Sequence, residues 1–281
     1  MNTPSKHITG EREIKTWRSG FTLTELMVTI VIVIVLASIT VSLASMGQRA
    51  ASRAEEIGAA KNLITTYQAV ASGNNGRYLA GYDRTINEVE FSTGQVVGGP
   101  TANRYPYRLA AAADHPIESI ALLGRNRQQI DVSNDYAVSL YPTFGINHYF
   151  VGGDIQKDGS VSFGSECART ISQSHGNVIA FASGGAQSAE DSTIEGYSLL
   201  TPPKLTGDMW SNDEWSMDSD PSDYGHLHPR HGNKVIAAFL DGSTRLYSIE
   251  ELRDMRLWSS KAAIDNDSDR KLKRGGGGGR L

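Results

Sequence analysis

Residues 26–48 contain no charged side chain, and within them Val28-Thr29-Ile30-Val31-Ile32-Val33-Ile34-Val35-Leu36 is almost wholly β-branched or leucine. As a helix rising ~1.5 Å per residue the run measures roughly 34 Å, enough for a bilayer's hydrocarbon core of ~30 Å. The run predicts a transmembrane helix over about residues 26–46. Lys6, Arg12, Lys15 and Arg18 precede it against Glu11 and Glu13, while Arg49 and Arg53 follow it against Glu55 and Glu56. The basic excess lies on the N-terminal side, so the N-terminus is expected in the cytoplasm and the bulk of the chain across the membrane. Leu43-Ala44-Ser45-Met46 offers small residues for a signal-peptide cleavage. A signal h-region is only ~7 to 15 residues, however, and this run exceeds it.

One carboxylate, Glu25, stands at the mouth of the run. Thr22-Leu23-Thr24-Glu25 has the pattern of a capping box, with Thr22 as N-cap, Glu25 at N3, and Phe21 and Leu26 placed as a hydrophobic staple. A carboxylate also suits the positive end of a helix dipole. Local helix chemistry therefore accounts for Glu25 by itself, and Gly20 adds a second account. A basic leader, Gly20, Phe21, three intervening residues, Glu25 and an uncharged helix resemble the N-terminal signature of type IV pilins and of the pseudopilins of type II secretion systems. The resemblance covers residues 18–36. It implies cleavage of the Gly20-Phe21 bond by a prepilin peptidase, methylation of the new Phe21 amine, and pairing of Glu25 with that amine on a neighbouring subunit to set the register of a filament. The physics is consistent: an ammonium in apolar surroundings is costly, and a carboxylate is its natural partner.

Past the run, Ile57, Ala60, Leu63, Ile64, Tyr67 and Val70 recur at spacings of three or four, which predicts one buried helical face. Gly73-Asn74-Asn75-Gly76 then stops the helix, giving a single helix over residues 21–72 whose first half is bare anchor. The stretch from Tyr67 to Tyr78 is also similar to the helix exit of major pseudopilins.

Residues 73–260 have globular texture, and 281 residues are ample to bury a core. Strand-like runs at 136–141, 148–151, 161–163, 178–182 and 235–240 are set off by Gly, Asn and Asp, and residues 116–123 read as a short helix. Two β-prone runs joined by Asp241-Gly242 predict a hairpin over residues 234–249. Ser248 and Glu251 then offer a capping box for a terminal helix ending near Trp258. His231, nine residues and Asp241-Gly242 look like the H-X9-DG element near the C-terminus of a group of prepilin-type proteins. For Asp241 and Gly242 a turn suffices as explanation, and His231 is expected to hold the edge of a strand. The tail, residues 261–281 with five glycines at 275–279, has the composition of a disordered segment.

Chemistry-bearing constellations are few. A net charge of −4 leaves no broad basic surface for nucleic acid. Cys167 is the single cysteine, so no intrachain disulfide forms. Residues 208–223 hold Asp208, Asp213, Glu214, Asp218, Asp220 and Asp223 without one base, but their spacing is not that of an EF-hand, and a solvated acidic loop is expected rather than a Ca²⁺ site. His226, His228 and His231 lack the spacing of a helical zinc pair, so a surface cluster is expected. Paired aspartates in Gly152-Gly153-Asp154-Ile155-Gln156-Lys157-Asp158-Gly159-Ser160 read as a turn.

The sequence thus points to an α+β chain whose long N-terminal helix packs on a C-terminal antiparallel sheet. Its expected role is that of a non-enzymatic, cofactor-free and metal-free subunit of a type II secretion pseudopilus or type IV pilus-like filament. Its expected partners are prepilin peptidase, like subunits and other pilins, and the bacterial inner membrane. The alternative is a membrane-anchored periplasmic binding or adhesion module on the same anchor.

Overall fold

Regular structure begins at the Thr22 capping box. The structure, a computed structural model, describes residues 20–188 and 192–272, so the leader at 1–19 and the polyglycine at 275–279 lie outside the described residues. One helix, α1, runs Leu23–Gly73, and the chain divides into two compact units at Gln48 and Arg49.

In the first unit the stretch Leu23–Thr40 is long and apolar enough to cross a membrane, and none of it is buried. Thr29 donates its hydroxyl to the carbonyls of Glu25 and Leu26, Ser38 to Val35, and Thr40 to Leu36 and Ala37. These hydroxyls are satisfied within the helix, the condition under which polar side chains sit in a lipid-facing segment.

The second unit is built on a four-stranded antiparallel sheet of β1 (Phe144–Ile146), β2 (Ile179–Ser183), β3 (Val235–Phe239) and β4 (Thr244–Tyr247), which lie side by side in that order. Phe181 stands opposite Ala238, and Ala238 opposite Thr244. All five residues of β2 and of β3 are buried, which is why their sequences read as unbroken apolar runs rather than as alternation. Side chains alternate between the two faces, except in β2, where a register shift between Ile179 and Phe181 leaves Ala180 and Phe181 on the same side. Ile236, Ala238, Ala180 and Phe181 meet Ala60, Leu63, Ile64, Tyr67 and Ala71 of α1. On the other face Val235, Ala237, Phe239 and Ile179 meet Trp210, Trp258, Leu252 and Met255. The helix stripe is close to the one spaced out in sequence, except that Ile57 and Val70 are only partly covered and Ala71 is buried.

α1 ends as its Gly and Asn residues require. Asn75 and Gly76 turn left-handed at φ 53° and 74°, and the Gly76 N–H reaches back to the Ala71 carbonyl at 2.9 Å. The returning chain stacks Tyr78 on Tyr67, ring centroids 5.5 Å apart, and the Tyr67 hydroxyl donates to the Leu79 carbonyl at 2.7 Å.

Several expected elements are corrected. Residues 136–141 are not a strand: Asp135–Leu140 is helical, because the Asn134 side chain accepts the Ala137 N–H and caps it. Residues 148–150 form a turn, closed by the Val151 N–H on the Asn147 carbonyl, and of 148–151 only Val151 makes a bridge, to Ala168. Of 161–163, only Val161 makes a bridge, to Ile155. The short helix expected at 116–123 contracts to Glu118–Ala121. The Ser248–Glu251 capping box forms, yet it opens two 3-10 turns, Glu251–Arg253 and Met255–Leu257, instead of one helix. The tail boundary at 261 falls inside the helix Ser260–Asp265. Leu272 is buried and its N–H donates to the Leu205 carbonyl.

Candidate functional site

At the start of α1 the capping box is complete. The Thr22 N–H and hydroxyl both donate to Glu25 Oε2, at 2.9 and 2.8 Å, and the Glu25 N–H donates to Thr22 Oγ1 at 3.2 Å. Phe21 is 75% exposed and Leu26 54% exposed, so the staple pair leaves most of its surface uncovered. Among the described residues a Cβ added at Gly20 would meet nothing within 4 Å. Packing among the described residues therefore makes no demand for glycine at position 20.

In the second unit the residues of the H-X9-DG element grip α1 at two places. His231 Nε2 stands 2.9 Å from Glu56 Oε2, and Arg230 Nε lies 3.0 and 3.1 Å from the two carboxylate oxygens. Glu56 is only 1% exposed, and the Arg230 and His231 side chains are buried with it. Arg230 uses its remaining nitrogens on the carbonyls of Gly184 at 2.9 Å and Thr143 at 3.2 Å. Burial pushes the Glu56 carboxyl up, but the His231 contact and the Arg230 charge outweigh it and hold the group below its usual value. The backbone beside it closes tightly: a Cβ at Gly124 would fall 3.0 Å from Glu56 Oε1.

The second grip is the hairpin turn. Phe239 N–H donates to Ser243 and Gly242 N–H donates to Phe239, both at 2.9 Å, with Gly242 at φ 81°. This is a three-residue loop with a left-handed glycine, rather than a two-residue Asp-Gly loop. Asp241 holds the turn by accepting the Ser243 N–H at 2.8 Å and an Arg245 guanidinium N–H at 3.3 Å. The Leu240 carbonyl, displayed by that loop, accepts the Gln68 side-chain amide of α1 at 2.7 Å. Glu56 and Gln68 are twelve residues apart on α1, about 18 Å along the helix.

His231, expected at a strand edge, is therefore a partner for a buried carboxylate, and Asp241 and Gly242 do shape a turn. Sequence reasoning passed over Glu56, Arg230 and Gln68. The signal was present for Glu56, which lies four residues before Ala60 and so extends the buried stripe by one turn with a charge.

The other candidates disperse. His226 stacks on Tyr197 at 3.7 Å and stands 3.3 Å from the Gly185 carbonyl. His228 is mostly buried, which pushes its pKa down to about 4. The three histidines thus form no surface cluster. In the acidic loop Asp220 caps the turn Pro221–Tyr224 through the Ser222 N–H, and Asp208 pairs with Lys271 at 3.1 Å. Among the described residues no three His, Cys, Asp or Glu side chains gather as a metal site. Asp158 accepts the Ser160 N–H in a turn, whereas Asp154 is buried against Arg84. Burial pushes the Cys167 thiol up to about 12.

The chain matches no protein-family model, no curated protein and no solved structure.

Proposed function

We propose that the chain is a pilin-like structural subunit, anchored once in the bacterial inner membrane with its N-terminus cytoplasmic and residues after 48 on the periplasmic side. It is cut after Gly20 by a prepilin peptidase, methylated at Phe21 and assembled through α1 with other pilins into a secretion pseudopilus or type IV pilus-like filament. The observation that carries the reading is the conjunction at the helix start: a glycine that packing does not require, an exposed Phe21, a carboxylate four residues on, and an exposed apolar helix after it. A peptidase gains from a side-chain-free residue before the scissile bond.

In this reading the capping box serves the uncut chain. Glu25 is held by the Thr22 N–H and hydroxyl. Cleavage then places an ammonium on Phe21 of each subunit, and Glu25 of a neighbour neutralises it in the apolar interior, where an unpaired charge is costly.

Intact mass of the protein from its native host tests the reading. The expected species starts at Phe21 and carries one extra methyl. A chain still beginning at Met1, or one beginning near Met46, would overturn it.

A further inference from the structure

Where α1 ends, a groove of about 970 Å³ opens between the helix exit, the C-terminal end of the helix Tyr105–Ala113 and the Arg169–Thr170 backbone. Three arginines line it: Arg77, Arg108 and Arg169. Arg108 is fixed from behind, its Nη2 donating to the carbonyls of Ala80 at 2.6 Å and Asn103 at 3.0 Å. Its Nε is buried and has no hydrogen-bond partner among the described residues. Burial pulls the Arg108 pKa down to about 10, so the group stays charged at neutral pH. Arg77 and Arg169 are exposed and in no ion pair among the described residues, unlike Arg84, Arg125, Arg230, Arg245, Arg253, Arg256 and Arg270, which all have carboxylate partners.

The opposing charges in the groove are smaller. Asp83 lines it, occupied by the N–H and hydroxyl of Thr85. Two helix ends add roughly half a negative charge each. Against three guanidiniums the groove keeps about one positive charge in excess. The setting makes that excess unusual, because residues 49–281 carry 23 lysines and arginines against 28 aspartates and glutamates. Like-charged copies repel, so close packing of this unit with itself needs a local complementary contact.

The complement is present in the same chain. Residues 208–223 hold six carboxylates and no base. Of these, Asp213, Glu214 and Asp218 are exposed and in no ion pair among the described residues, and Met217 beside them is 64% exposed. Ala69, Val70, Ala112 and Ala113 give the groove apolar wall for such a side chain. We propose that the arginine groove docks the acidic 208–223 segment of a second copy of the chain. Because groove and segment are different surfaces, the contact is head-to-tail and repeats instead of closing as a two-fold dimer. The inference rests on the filament reading for its setting.

Charge reversal in the purified full-length chain, followed by sedimentation in detergent, tests it. Arg77→Glu with Arg169→Glu is expected to weaken self-association at least ~10-fold, and Asp213→Lys with Asp218→Lys to do the same from the other side. Mixing the two variants is expected to restore association, since each then meets its opposite charge. The loop pair, on exposed positions, also stands alone as a test if the groove pair misfolds. Association that survives either reversal, or a mixture that stays apart, overturns the proposal. A chain found uncut at Gly20 but showing this charge dependence refutes the filament reading alone. A chain cut and methylated whose variants associate normally refutes the docking alone.

Discussion

Glu56 is the residue on which the attachment of α1 to its sheet most depends. A carboxylate with only 1% exposure is tolerable because Arg230 takes both of its oxygens and His231 stands at one of them. Removing the charge strands Arg230 in a buried site, so Glu56→Gln is expected to lose about 3 kcal/mol, measured by urea unfolding at pH 7. The same residue sets an acid limit. Its native pKa lies below the ordinary value of 4.5, so its contribution is complete above that value and is lost as pH falls through the lower native one. Thermal melts between pH 6 and about pH 3 are expected to show a stability loss in the wild type that is reduced in Glu56→Gln.

Among elements, the β3–β4 hairpin was legible from Asp241-Gly242 because only a left-handed residue closes its turn, and Gly242 occupies that conformation at φ 81°. Gly242→Ala is expected to cost ~1–2 kcal/mol, read as a lowered urea midpoint with unchanged slope. The helix stripe was legible for a similar reason: Ala60, Leu63, Ile64 and Tyr67 bury one face, and burial imposes the period. Residues 136–141 misled because Tyr136, Val138 and Tyr141 favour strands by type, while the deciding signal was the single side chain of Asn134 just outside the run. The Glu56 site was illegible for another reason. Arg230 is 174 residues from Glu56, and no local pattern encodes which distant cation will neutralise a buried acid.

For the molecule as a whole, the run at 23–40 is unburied hydrocarbon that its own unit does not cover. A charge at its middle has no partner there, so Ile32→Lys is expected to disfavour insertion by ~3 kcal/mol. Fractionation of cells in alkaline carbonate measures this: the wild-type chain is expected to stay with the membranes and the variant to shift toward the soluble fraction. Within the second unit, the two grips on α1 have a mechanical consequence. A rod pinned once pivots, whereas a rod pinned at Glu56 and again at Gln68, about 18 Å further on, resists both sliding and rolling. Any pull or torque on this stretch of α1 therefore reaches the sheet as a load shared between a charged pair and the hydrogen bond from the Gln68 amide, and β3, which lies between His231 and Asp241 in the chain, is the strut that carries it.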